Sequence, residues 1–132
     1  MMQLQQSFYD EMVAQGLAEF PNECCGLIAG EAGAAVRVYP MRNADASPVT
    51  YRFDPKQQLE VTEEIEDRGW DLFAIYHTHT HSEAYPSETD RKQAFYPEAY
   101  YLVLSLSDRE NPVLRAFRIV DGEISEEELE IA

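Results

Sequence analysis

Apolar positions along this chain alternate between a helical and an extended spacing, and the switches divide it into elements. Over residues 3–18, Leu4, Phe8, Met12 and Val13 recur at helical spacing with Gly16 near the end, which predicts an amphipathic helix with its stripe on the core. Phe20-Pro21-Asn22 breaks it. Residues 23–30 read as a short buried strand bounded by glycine, with Glu23 at its mouth. In residues 34–41, Val36, Val38 and Met41 stand against Arg37 and Arg42, the pattern of a half-buried strand. Residues 43–48 are a loop by their turn residues, and 49–53 a further strand. Asp54-Pro55 opens a second helix, with Asp at the N-cap and Pro at the first helical position. That helix runs to Arg68, offers Leu59, Val61, Thr62 and Ile65 to its inner face, and stops at Gly69.

The second half repeats the alternation. Residues 72–77 form an apolar strand, a loop follows, and a helix over 87–95 ends at Tyr96-Pro97. Residues 100–106 and 113–120 are strands separated by a turn, and Asp121-Gly122 is a hairpin turn into an edge strand or tail over 123–131. Strands mixed with three helices in this order predict an α/β or α+β fold, a mixed sheet with helices packed on its faces.

Composition narrows the function classes. The 132 residues suit one domain over 1–132, large enough for a core without disulfides. With 25 acidic against 10 basic residues the formal net charge is −15, a field that repels nucleic acid and suits a basic partner or plain solubility. The apolar runs are too short to span a membrane and the N-terminus lacks a signal-peptide pattern, so the expected location is cytoplasmic. Cys24 and Cys25 are neighbours and close no useful loop, which fits a reducing compartment.

The chemistry concentrates in residues 77–90. His77 and His79 sit two apart at the end of an apolar strand, so both imidazoles face one side. Together with Asp90 they suit a zinc ion with an open fourth position. Asp90 has a structural rival role, because Ser87-Glu-Thr-Asp90 matches a capping box at a helix start. His81 challenges Asp90 as third ligand if the strand continues; if it ends near His79, His81 is a residue of the site mouth. Glu23 is the carboxylate that a hydrolytic site needs beside its water. Cys24 or Cys25 paired with a histidine is a competing nucleophile, weakened by the apolar run around both.

Glu23, then His77-Thr78-His79, then Pro86-Ser87 and Asp90 with ten residues between His79 and Asp90, resembles the motif of the JAMM (MPN-plus) metalloproteases. Pro21-Asn22-Glu23 and Cys25-Gly26-Leu27 also look like that family's opening strand, and the likeness spans residues 4–120. The resemblance implies zinc, one per chain, bound by His77, His79 and Asp90. It implies Glu23 as general base and acid and Ser87 as hydrogen-bond donor to the oxyanion. It also implies a three-layer, cytidine-deaminase-like fold. Thr80 stands where many members have proline, and the stretch from His77 to Asp90 is similar to the small stand-alone bacterial branch called Mec-like. That branch implies a ubiquitin-like β-grasp sulfur-carrier protein as partner, cut after its Gly-Gly tail to release cysteine or another amine. The tail is expected to add to a sheet edge, for which residues 48–53 are the candidate. The competing readings are a non-catalytic MPN-type scaffold, a cysteine hydrolase, and a zinc deaminase, whose C-x-x-C signature this chain lacks.

Overall fold

Alternate residues of a strand face opposite sides of its sheet, and in this molecule that parity sorts the core into two halves. The structure is a computed structural model that describes residues 1–132. Its elements in order are β1 (Met2–Leu4), α1 (Gln6–Glu19), β2 (Cys25–Glu31), β3 (Ala34–Met41), α2 (Pro55–Asp67), β4 (Asp71–His79), α3 (Glu88–Lys92), β5 (Tyr100–Ser105), β6 (Val113–Val120), β7 (Glu123–Glu127) and β8 (Leu129–Ile131). Six strands form one sheet in the order β3-β2-β4-β5-β6-β7, and β1 and β8 pair separately as a parallel ribbon. Within the main sheet β4 and β5 are parallel and the other neighbours antiparallel.

Ala74 and Tyr76 of β4 point to one face, where they join Met12, Ile28, Leu102 and Leu104 beneath Phe8 and Val13 of α1. Ile75 points to the other, with Leu27, Val103 and Phe117 beneath Ile65 and Val61 of α2. The result is the three-layer mixed α+β architecture expected from the element pattern. Central strands buried on both faces explain why residues 72–77 read as continuous apolar sequence rather than as an alternation. His77 and His79 share the parity of Ile75 and therefore emerge on the α2 and α3 side, at the carboxyl end of β4.

A close approach fixes β2 against β4. A Cβ on Gly26 would lie 2.2 Å from the Tyr76 ring, so only glycine fits. Tyr76 cannot swing away cheaply, since its hydroxyl donates to Gln15 Oε1 at 2.6 Å.

Six local expectations are corrected. The first helix starts at Gln6, because Met2 and Leu4 bury themselves as alternate residues of β1, paired with Leu129 and Ile131 at the far end of the chain. Residues 49–53 are a loop with one bridge, Asn43 to Phe53, because the Asn43 side chain takes hydrogen bonds that a neighbouring strand would have supplied. They offer no sheet edge to a tail; the edges are β3 and β7. In α2, Leu59 is 60% exposed and Thr62 is exposed too, so the buried stripe narrows to Val61 and Ile65. Asp54 makes no capping bond and instead pairs with Arg42 at 3.2 Å. The helix after Ser87 ends at Lys92, short of Phe95, whose ring is 74% exposed and gives a longer helix nothing to pack against.

Candidate metal centre

The two histidines and Asp90 converge. His77 Nε2 and His79 Nε2 are 3.1 Å apart, and each is 3.0 Å from Asp90 Oδ2. The ligating atoms of the three residues all lie within 4.8 Å of one another. Strand β4 carries the first two, and its pairing with β5 ends as the Leu106 N–H donates to the His79 carbonyl. The chain then turns, with Thr80 Oγ1 donating to the Pro48 carbonyl. His81 lies beyond the strand and exposed. Its Nδ1–H donates to Thr80 Oγ1 at 2.9 Å and its ring tilts against Phe20, so it does not join the cluster.

Asp90 arrives from α3, and its position is compatible with both of its expected roles. Ser87 Oγ accepts from the Asp90 N–H at 3.1 Å, while the Ser87 N–H donates to Asp90 Oδ2 at 2.8 Å, a complete capping box. The oxygen that closes the box is the one between the two imidazoles. The cap aims the carboxylate and leaves the exposed Ser87 hydroxyl proton free to donate.

The donor set calls for a cation. His79 Nδ1–H donates to the Glu83 carbonyl at 2.8 Å, so in the neutral ring Nε2 carries a lone pair. That lone pair faces the carboxylate oxygen and the other imidazole nitrogen at hydrogen-bond distance. Lone pairs held so close repel unless a proton or a metal ion lies among them. Two imidazole nitrogens and one carboxylate oxygen are a ligand set for a catalytic metal, and a hydrogen-bonded second nitrogen is the usual support of such a histidine.

Electrostatics agree with this arrangement. Burial acts to raise the Asp90 carboxyl, but hydrogen bonds with His77, His79 and the Ser87 backbone outweigh it and hold the group well below the usual carboxylate range. Burial pushes His77 down despite its bond to Asp90, which favours the neutral, ligand-ready ring. His79 is raised: burial lowers it, and the bonds to Asp90 and Glu83 overcome that.

Glu23 is 3% exposed and near enough to His79 and Asp90 to feel their charges, and its Oε1 lacks any hydrogen-bond partner. Burial pushes its carboxyl up to about 8, against the lowering influence of His79 and with a smaller raising one from Asp90. A buried polar atom without a partner is costly and points to a group that completes it. The linkage has a definite sign. A carboxyl raised from 4.5 to about 8 by folding costs the metal-free protein nothing below the lower value, and stability is lost progressively as pH climbs towards the upper one. Metal-free Glu23→Gln should therefore gain thermal stability over wild type between pH 5 and 9, by several degrees at the upper end. Melting curves at stepped pH check this; a constant difference between the two proteins would contradict it.

The cysteines are free and fully buried. Burial pushes the Cys24 thiol up to about 12 and the Cys25 thiol higher still, the opposite of an activated nucleophile. One contributor escaped the sequence reading. Tyr51 stacks on His77 with ring centroids 4.4 Å apart. Nothing in its local pattern announces this, because residues 49–53 follow a loop path that no periodicity encodes.

Comparisons with known proteins agree with the geometry. Residues 5–120 match the family model described as prokaryotic homologs of the JAB domain. The CysO-cysteine peptidase of Mycobacterium tuberculosis is 43% identical over 122 residues, covering 91% of this chain and 84% of that protein. The desampylase of Haloferax volcanii is 38% identical over 92 residues, covering 67% of this chain and 66% of that one. The solution structure of protein DSY2949 from Desulfitobacterium hafniense superposes with a TM-score of 0.88 at 34% identity, over 100% of this chain and 93% of the other. The chain belongs to the prokaryotic JAB family of JAB/MPN domains, the family its motif resembles. No helix is long and apolar enough to cross a membrane.

Proposed function

We propose that the chain is a zinc-dependent peptidase that hydrolyses the amide bond after the C-terminal Gly-Gly tail of a ubiquitin-like sulfur-carrier protein, releasing cysteine or another amine. The observation that carries the reading is the convergence of His77 Nε2, His79 Nε2 and Asp90 Oδ2 at 3.0–3.1 Å. The names of two relatives, CysO-cysteine peptidase and desampylase, support the substrate class.

In this reading His77, His79 and Asp90 hold one zinc ion per chain. Zinc, when bound, supplies a Lewis acid that polarises the scissile carbonyl and lowers the pKa of a water to about 7. Glu23 does the proton work. Its carboxylate takes a proton from the attacking water, so that the oxygen adds to the amide carbon, and it then delivers that proton to the departing amine nitrogen. The raised Glu23 carboxyl suits both halves of the cycle, since a group that titrates near neutrality takes and gives protons with equal ease. The Ser87 hydroxyl donates to the oxyanion of the tetrahedral intermediate, and its attachment to the cap of α3 costs no rearrangement during reaction.

The experiment is direct. A sulfur-carrier protein extended by one cysteine after Gly-Gly is incubated with the zinc-loaded protein and weighed by mass spectrometry. Loss of the cysteine is expected, abolished by a chelator and restored by zinc, and unaffected by thiol alkylation of the enzyme. An intact substrate with a zinc-loaded enzyme would refute the substrate assignment; chelator-insensitive cleavage would refute the metal.

A further inference from the structure

One buried side chain ties both flanks of Tyr51 in its loop. Asn43 is buried and uses its whole amide. Its Nδ2 donates to the Glu23 carbonyl at 3.0 Å and to the Thr50 carbonyl at 2.9 Å. Its Oδ1 accepts from the Asp45 N–H at 3.0 Å and the Arg52 N–H at 3.1 Å. Both neighbours of Tyr51 are thus tied to Asn43, and so is the backbone of Glu23. The Glu23 N–H in turn donates to the Ser47 carbonyl at 2.9 Å, a second tie between the same loop and the same residue.

The fastened loop delivers one ring. Tyr51 lies nearly parallel to His77, with 21° between planes, and is braced edge-on by Phe53 at 5.7 Å. The two histidines are held by different means. His79 is oriented by the hydrogen bond at Nδ1, whereas His77 is oriented by the face of Tyr51. The rotation of an imidazole about its last side-chain torsion is broad when nothing packs against it. A ligand nitrogen must point at one place, and freedom removed before binding is not lost on binding.

We propose that Asn43 and Tyr51 form one positioning unit for the metal centre: Tyr51 sets the plane of the His77 imidazole, and Asn43 holds Tyr51 there while tying its loop to the backbone of Glu23. This rests on the reading of His77 as a metal ligand. Neither residue touches the reacting atoms; Tyr51 acts through His77, and Asn43 acts through Tyr51 and Glu23. A buried asparagine with four satisfied bonds would serve a loop anywhere. Here it joins the loop that carries Tyr51 to the backbone of Glu23, whose carboxyl interacts electrostatically with His79 and Asp90.

Zinc affinity, measured on the purified full chain by competition with a chromogenic chelator, tests the unit independently of turnover. Tyr51→Phe keeps the stacked ring and should bind zinc within about twofold of wild type, while Tyr51→Leu and Asn43→Ser should each bind about ten- to a hundredfold more weakly, as loss of an outer support does. The double variant should fall near the weaker single variant rather than at the product of the two, because the residues act on the same ring. Met12→Ala, in the core on the opposite face of the sheet, is the control: it lowers the melting temperature of the metal-free protein and leaves zinc affinity near wild type. Wild-type zinc affinity in Tyr51→Leu would overturn the role of Tyr51, and multiplying effects would overturn the link to Asn43. Should these variants fail to fold, Asn43→Asp, which keeps both acceptor bonds and loses both donors, carries the same comparison. A wild type that binds no zinc would sink the ligand assignment itself, an outcome distinct from any of these.

Discussion

Glu23→Gln is expected to leave zinc content unchanged and to lower kcat by about 10²- to 10⁴-fold, the range of a lost general base and acid. The amide is nearly isosteric with the carboxyl, so the buried site keeps its shape. Glu23 is also outside the cluster of converging donors, which comprises His77, His79 and Asp90 alone. What disappears is an atom able to accept a proton, the same Oε1 that has no partner inside the protein. KM should change little, because the lost interaction develops as the water is deprotonated rather than when the substrate binds. Zinc analysis and steady-state kinetics on one preparation separate the outcomes. A fall in zinc along with turnover would make Glu23 a ligand; unaltered turnover would move the proton transfer to another group.

Asp90→Asn is expected to produce the complementary result: zinc affinity reduced beyond the roughly 10–100-fold that outer supports cost, with the fold intact. Asparagine retains an oxygen that can accept the Ser87 N–H, so the cap of α3 can persist while the anionic ligand is gone. His81→Ala, made in parallel, should keep its zinc, since His81 is engaged with Thr80 and Phe20 away from the cluster. Metal analysis of both variants, with circular dichroism as a check on folding, decides between His-His-Asp and a three-histidine set. Zinc retained by Asp90→Asn and lost by His81→Ala would reverse the assignment.

Capping box and ligand position are compatible in the structure, and the reason is geometric. A capping box needs the carboxylate of the third helical residue turned back over the helix start, and that is also the direction of the β4 end. One side-chain conformation satisfies both, so a carboxylate that reads as structural from local sequence is aimed at the histidines by its structural role. The cysteine alternative fails for a similarly physical reason. Both thiols are fully buried where β2 begins, Cys24 just before the strand and Cys25 its first residue, and there the charged form is penalised.

How much of this was legible in the sequence depended on the range of the interaction concerned. Strand parity put His77 and His79 on one face, glycine and proline punctuated most elements, and the spacing to Ser87 and Asp90 announced the site; each is a rule of neighbours along the chain. The tertiary structure alone decided that Met2 and Leu4 join a strand with Leu129 and Ile131, because that pairing is made across the whole chain and leaves no local trace. It alone also decided that residues 49–53 forgo a ladder: the Asn43 amide supplies bonds to the Thr50 carbonyl and the Arg52 N–H, and a side chain that replaces a strand has no periodicity to read. The donor atoms of the site were thus encoded locally, while the Tyr51 ring that orients one of them was placed by hydrogen bonds formed only once distant segments had met.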